Sequence, residues 1–455
     1  MNKASEMDVR EFPSFSDIMK QLWASFKIPL LAILTAFVIG AVVIWATSGS
    51  LATVGQAYWG MARGALFKQR GLSESIVATI PYILLSLAVA VGFKSGLFNI
   101  GAEGQFYIGA IGAAWAGVAF KGLPGIILLP LCLGIGALGG AIWAGIAGFL
   151  KAKTGAHEVI STMMMNYISF RLAEFLVSGP LRDQASGITQ TKSVAAAAEI
   201  WTFTAIPERL KDPLNALMVA LIMAFIAAVI ARWWTKRSKN PAMQSVSRRR
   251  WVYGGVGLAV GVLTFIGLPA LTRVWWPFND PADRMHTGIF LALGAVVFVW
   301  WLMQRTTIGF ELRTVGANPN AARYAGVNIT RNIMTAMCIS GALAGLAGTI
   351  EVLVVSTCRC LPIFFSSGYG WDSIGIALLA RNDPFGIILS SFLWGAMRNG
   401  ADLMELSSGV SKYIISLIQG LVLLFVAAPA VTRWIYRLKA DKQGSETPLT
   451  RGWGG

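Results

Sequence analysis

Charge is scarce in this chain. Asp, Glu, Lys and Arg form 13% of its 455 residues against 55% hydrophobic ones, and the mean hydropathy is +0.61. A water-soluble domain carries about a quarter charged residues, so that class is excluded. Histidine is scarcer still, with only His157 and His286. There is no Ser/His/Asp arrangement and no metal-ligand cluster. Nor does G-x-x-x-x-G-K-[ST] occur to cradle a nucleotide phosphate. The chain is therefore not expected to be an enzyme, to hold a metal or other cofactor, or to hydrolyse ATP. Four cysteines, Cys132, Cys338, Cys358 and Cys360, are too few and too scattered for a disulfide framework. Cys358 and Cys360 form a C-x-C that could bind a metal or oxidise, but no other Cys or His lies nearby, and two ordinary thiols are expected. The start, MNKASEMDVREFPSFSDIMKQLW, mixes charges and has no short apolar core with a cleavage site. It reads as a cytoplasmic tail over 1–27 rather than a signal peptide.

Apolar runs of about 20 residues, the length that spans roughly 30 Å of hydrocarbon, recur along the chain. Backbone polar groups in lipid must be satisfied within the segment, so these runs imply helices. The expected fold is an all-α integral membrane protein, a polytopic bundle of about twelve transmembrane helices over 28–432. The spans lie near 28–47, 76–93, 100–120, 124–150, 158–178, 213–234, 251–272, 287–304, 331–352, 366–381, 384–404 and 413–432. The 38 Lys and Arg against 22 Asp and Glu give a net charge of +16. That excess sits between the apolar runs, as the positive-inside rule requires of cytoplasmic loops, and so does not imply nucleic-acid binding. The loop 231–250 holds Arg232, Lys236, Arg237, Lys239, Arg248, Arg249 and Arg250 with no acid. Lys151 and Lys153, the arginines 305, 313, 323 and 331, and the tail 433–455 recur on the same side, which places both termini in the cytoplasm. The opposite side carries the charge-balanced loop 179–212, together with 48–75, despite Arg63, Lys68 and Arg70. Glycine is abundant at 49 residues, as in GIGALGGAIWAGIAG (134–148), and lets membrane helices approach closely.

Polar residues interrupt the apolar pattern in two places. In VGFKSGLFNIGAEGQFYIGAIGAAWAG (91–117), Lys94, Asn99, Glu103 and Gln105 stand among four glycines. Irregular backbone at membrane depth is tolerated only against protein or a water-filled cavity, so a broken or re-entrant segment is expected near 94–105. An intramembrane carboxylate costs at least about 2.5 kcal/mol on insertion scales, so Glu103 must be paired, neutralised or functional. Asn99, Glu103 and Gln105 either line a translocation path or cap the broken helix and hold the bundle together; the residues alone leave both open. In AHEVISTMMMNYI (156–168), Ser161, Thr162 and Asn166 share a face with Glu158. His157 reads as structural and the Met163–Met165 run as packing.

A third feature lies between spans. TTIGFELRTVGANPNAARYAGVNITRN (306–332) holds a turn with Asn318 as cap and Pro319 at a helix start, followed by Ala322, Arg323 and Tyr324. Docking to a soluble partner and a plain amphipathic connector both fit it.

At these segments the sequence resembles ABC importer permeases of the branched-chain amino acid and ribose type, in their nucleoside and simple-sugar branch. The matching stretches include GLFNIGAEGQ (96–105), EVISTMMMNYI (158–168), VSGPLRD (177–183), RTVGANPNAARYAGVNI (313–329), SGALAGLAGTIEV (340–352), GYGWDSIGIALLARNDPFG (368–386) and GAMRNGAD (395–402). The resemblance implies a second related permease, a heterodimer being usual, a cytoplasmic ABC ATPase that binds the ATP and Mg, and an external substrate-binding protein. It makes 311–328 the coupling helix region, with Arg313, Asn318, Pro319, Ala322, Arg323 and Tyr324 meeting the ATPase. Candidate path residues are Phe98, Asn99, Glu103, Gln105, Asn166 and Trp371, with Phe98 or Trp371 placed to stack on a base. The chain departs from the family over 209–286, which looks like an insertion with two extra spans, and at STCRCLPIFFS (356–366). The expected function is ATP-driven import of nucleosides across a bacterial cytoplasmic membrane. A simple sugar or other small solute is the alternative cargo. An ion-coupled secondary transporter working alone is the rival from another class.

Overall fold

A computed structural model describes residues 15–237, 246–274, 276–278, 280–356, 358–363 and 365–437. The middle of the basic loop 231–250 and most of both tails lie outside these residues. The described chain is helical, with only isolated β-bridges besides. In order the helices are α1 (Phe15–Ser48), α2 (Leu51–Ala62), α3 (Gly71–Lys94), α4 (Ala102–Ala119), α5 (Gly125–Thr154), α6 (Glu158–Ser178), α7 (Ile206–Arg209), α8 (Pro213–Arg237) and α9 (Val246–Val274). There follow α10 (Gly288–Arg305), α11 (Thr307–Ala317), α12 (Pro319–Tyr324), α13 (Ile329–Ile350), α14 (Tyr369–Leu379), α15 (Pro384–Ser408), α16 (Tyr413–Ala427) and α17 (Pro429–Ile435). Local chemistry sets the ends. Asp383 caps α15 by accepting from the Gly386 N–H at 2.8 Å, Pro384 fills its first position, and Gly409 ends it in the left-handed region at φ 68°.

About twelve spans are expected, but among the described residues seven helices are long and apolar enough to cross a membrane. These are α1, α3, α5, α8, α9, α10 and α13 with its continuation; α16 and α17, bent by 93°, make an eighth. α4, α6 and α15 do not meet that standard. The helix within the expected span 366–381 has only 11 residues, about 17 Å, roughly half of a bilayer core.

The core forms where α13 meets α3, α4 and α5. A Cβ on Gly341 would lie 2.2 Å from the Gly140 carbonyl, one on Gly345 2.2 Å from the Gly136 carbonyl, and one on Gly348 2.0 Å from the Phe106 carbonyl. Only hydrogen at these positions allows backbone to touch backbone, which is how helices associate without a hydrophobic driving force. By contrast α8 and α9 pack on each other, Gly257 and Gly261 against Ala224, meet Trp201 and Leu210 through Ala216 and Leu268, and leave many large apolar side chains exposed.

The face that charge placement makes the outer one gathers 183–205, 276–278, 280–287 and 358–363. Thr191 N donates to Leu361 O at 3.0 Å, Val194 N to Arg359 O at 2.9 Å, and Phe203 N to Met285 O at 2.9 Å. The start of α3 joins this cap through Arg70–Asp280 and Glu74–Arg284 ion pairs. Arg70, awkward in a segment expected outside, is neutralised there. Cys358 and Cys360, expected as separate thiols, form a disulfide within the cap.

Candidate substrate cavity and coupling surface

Two helices begin inside the bundle. α3 ends at Lys94, Gly96 turns the chain at φ 73°, and residues 95–101 run back without helix until α4 starts. Backbone exposed in this way needs partners, and side-chain amides supply them. Asn99 Nδ2 donates to Ser340 Oγ at 2.7 Å and to Gln105 Oε1 at 2.9 Å, while its Oδ1 accepts from Gly101 N at 3.0 Å and Gln105 Nε2 at 2.9 Å. Asn166 on α6 donates to Ile100 O at 3.0 Å and accepts from Gly104 N at 2.8 Å. Ser340 donates onward to Ala88 O at 2.7 Å. Asn99, Gln105 and Asn166 thus bind the break to α3, α6 and α13.

The second break mirrors the first. After α13 comes a π-helical turn, Glu351–Val355, and α14 starts after the non-helical residues 365–368, with Gly368 at φ 90°. The first turns of α4 and α14 meet on one carboxylate. Glu103 accepts from the Ser366 hydroxyl on one oxygen and from the Gly370 N–H on the other. A helix N-terminus favours negative charge, and here two share it, which accounts for a carboxylate this deeply buried.

Beside Glu103 opens a cavity of ≈ 340 Å³. Tyr107, Tyr167, Phe170, Phe365 and Trp371 form much of its wall, Ser366 lies beside Glu103, and the Arg171–Glu174 ion pair, 2.6 Å long, lines it as well. Tyr107 meets Phe170 and Phe365 edge-on at 4.9 and 4.7 Å between centroids, so the wall is built from rings that fix one another. Of the candidate path residues, Glu103 and Trp371 line this cavity. Phe98 instead packs on Phe93 at 4.6 Å, and Asn99, Gln105 and Asn166 lie in the fastening network. Sequence reasoning passed over Tyr107, Phe170, Phe365 and Ser366, whose convergence from α4, α6 and residues 365–368 has no signature in any one segment.

It also passed over a buried polar chain around α14. Tyr82 on α3 donates to Asp372 at 2.7 Å, Arg398 on α15 donates to the Tyr82 hydroxyl at 2.8 Å, and the Arg398 guanidinium sits 4.4 Å over the Tyr369 ring. Asp372 and Arg398 are charges within the expected spans, a signal that marks such residues for attention.

The coupling candidates form a surface of their own. Asn318 caps α12 by accepting from Ala321 N at 3.0 Å, with Pro319 following it, and Ala322 is buried beneath. Arg323 is exposed and Tyr324 is 94% exposed, while Arg313 donates to Gln304 at 2.7 Å. The end of α11 rests directly on the first break. A Cβ on Gly316 would lie 2.4 Å from the Lys94 carbonyl and 2.8 Å from Gly96 N. This element therefore touches the chain that carries Glu103.

Residues 71–427 match the family described as "Branched-chain amino acid transport system / permease component". The chain belongs to this permease family. The permease is 32% identical over 418 residues to the guanosine ABC transporter permease protein NupP of Bacillus subtilis (strain 168), covering 92% of this chain and 97% of that one. It is 28% identical over 427 residues to the glucose ABC transporter permease protein TsgB13 of Haloferax volcanii, covering 94% and 93%. It is 27% identical over 432 residues to the nucleoside ABC transporter permease protein NupB of Lactococcus lactis subsp. cremoris, covering 92% and 96%. The chain is an ABC transporter permease of the nucleoside and simple-sugar branch. No solved structure matches it.

Proposed function

We propose that this permease imports nucleosides delivered by an external binding protein, driven by a cytoplasmic ATPase that docks on 311–328. The observation that carries the cargo is the cavity. Its aromatic wall suits a flat base and its Glu103 carboxylate suits a hydroxylated sugar, in keeping with the guanosine and nucleoside relatives. ATP and Mg belong to the ATPase, and no cofactor is assigned to this chain. A second, related permease completes the membrane unit. The chain would cross a bacterial cytoplasmic membrane about twelve times with both termini inside, α4 and the shorter α14 each completing one crossing after its break. Residues 209–286 add α8 and α9 as two extra spans, an even number that preserves the topology downstream.

The test is ATPase activity of the reconstituted complex with its binding protein. Guanosine or another nucleoside is expected to stimulate it. Stimulation by a simple sugar alone would replace the nucleoside reading with the sugar one, which the glucose relative favours.

A further inference from the structure

Glu103 lines the cavity yet is 3% exposed, because its carboxylate is already occupied. One oxygen holds the amide N–H of Gly370, part of the helix α14 itself. The other holds the hydroxyl of Ser366, a half-buried side chain on the loop that covers the cavity. These two contacts differ in kind. The amide is fixed by the backbone, whereas the hydroxyl sits on a rotatable side chain and offers one O–H donor, the same group that a sugar ring offers.

Ser366 also has a second task. Its oxygen accepts from Gly368 N at 3.2 Å, just before α14. Gly368 sits at φ 90°, where residues other than glycine are strained, so the turn into α14 depends on glycine at this position. Movement of the Ser366 side chain from Glu103 would therefore be felt at the start of α14. That helix runs in one piece to the turn at Arg381 and Asn382, both at positive φ, before α15.

We infer that Ser366 holds the place of a substrate hydroxyl on Glu103, and that a sugar hydroxyl of the solute displaces it and so releases residues 365–368 from the first turn of α4. The inference rests on the cavity being the solute site; it specifies a hydroxyl donor as the recognised group. One O–H···O⁻ bond is exchanged for another, so the balance is settled by the extra contacts the solute makes with the rings.

The test uses the full complex in proteoliposomes, with guanosine and 2′,3′-dideoxyguanosine as probes. Wild type is expected to favour guanosine over the dideoxy analogue only about twofold, since one O–H···O⁻ bond replaces another, and the preference is expected to widen to about tenfold in Ser366→Ala, where the solute hydroxyl fills an empty place. Ser366→Ala removes the competitor and is expected to lower the guanosine KM about fivefold. Ser366→Thr keeps a hydroxyl and retains the wild-type value. Glu103→Gln raises the guanosine KM and erases the preference over the dideoxy analogue. A preference that does not widen in Ser366→Ala, or one that survives Glu103→Gln, would overturn the inference. If wild type moves no guanosine, the nucleoside reading fails separately, and the same variants are compared with glucose and its deoxy analogues. Discrimination among those that does not widen in Ser366→Ala, or no uptake of any of them, overturns the hydroxyl assignment too.

Discussion

At the scale of single residues, buried amides do the work that water does elsewhere. Asn99 uses its side-chain donor and acceptor groups on Ser340, Gln105 and Gly101. Asn99→Ala is expected to leave these groups unpaired and to lower stability by about 1–3 kcal/mol. The measurement is the melting temperature in detergent, and an unchanged value would deny the fastening role. His286, in the cap, behaves differently. Its Nδ1 accepts from Gly288 N at 3.2 Å and its Nε2 is buried without a hydrogen-bond partner. Burial, and then the neighbouring Arg284 charge, push its pKa down from 6.5 to about 4. The unfolded chain thus takes up this proton first as pH falls, so stability declines between 6.5 and about 4. The contribution over that window is roughly 3 kcal/mol. A pH series of melting temperatures should show the decline, and His286→Gln should flatten it.

At the scale of elements, the break before α4 joins two sites. α11 presses Gly316 onto Lys94 and Gly96, and the same short stretch leads through Asn99 to Glu103. A side chain at position 316 must force the two backbones apart. Gly316→Val is expected to reduce solute-stimulated ATPase activity by roughly 2–30-fold while the protein still inserts, the range for residues that carry coupling between distant sites. Solute-independent ATPase activity of the same complex serves as the control. The sequence announced this break through its clustered glycines and polar residues. It did not announce the second one, because GYGWDSIGIALLARNDPFG is apolar enough to read as a span and conceals where the helix starts.

At the scale of the whole molecule, the exposed tip at Arg323 and Tyr324 and the cavity beside Glu103 are the two proposed working surfaces. Arg323→Glu reverses a charge on the first. It is expected to weaken ATPase association about tenfold or more, since like-charge contacts at an interface cost several kcal/mol. Pull-down of the ATPase from membranes checks this, and uptake that persisted without any ATPase would instead support an ion-coupled transporter.

Composition by itself determined the class, since 13% charge cannot coat a soluble fold, and charge placement gave the expected sidedness. Motif order along the chain determined the family. The glycine-rich segments and the break near 94–105 were legible because each is a local pattern. The cavity was not, for a physical reason. Its rings come from α4, α6 and residues 365–368, and its carboxylate is held by Ser366 and Gly370, more than 260 positions away. Asn99, Gln105 and Asn166 look in sequence like any polar residues of a path; only the folded bundle turns their amides toward the broken backbone and leaves Glu103 facing the cavity.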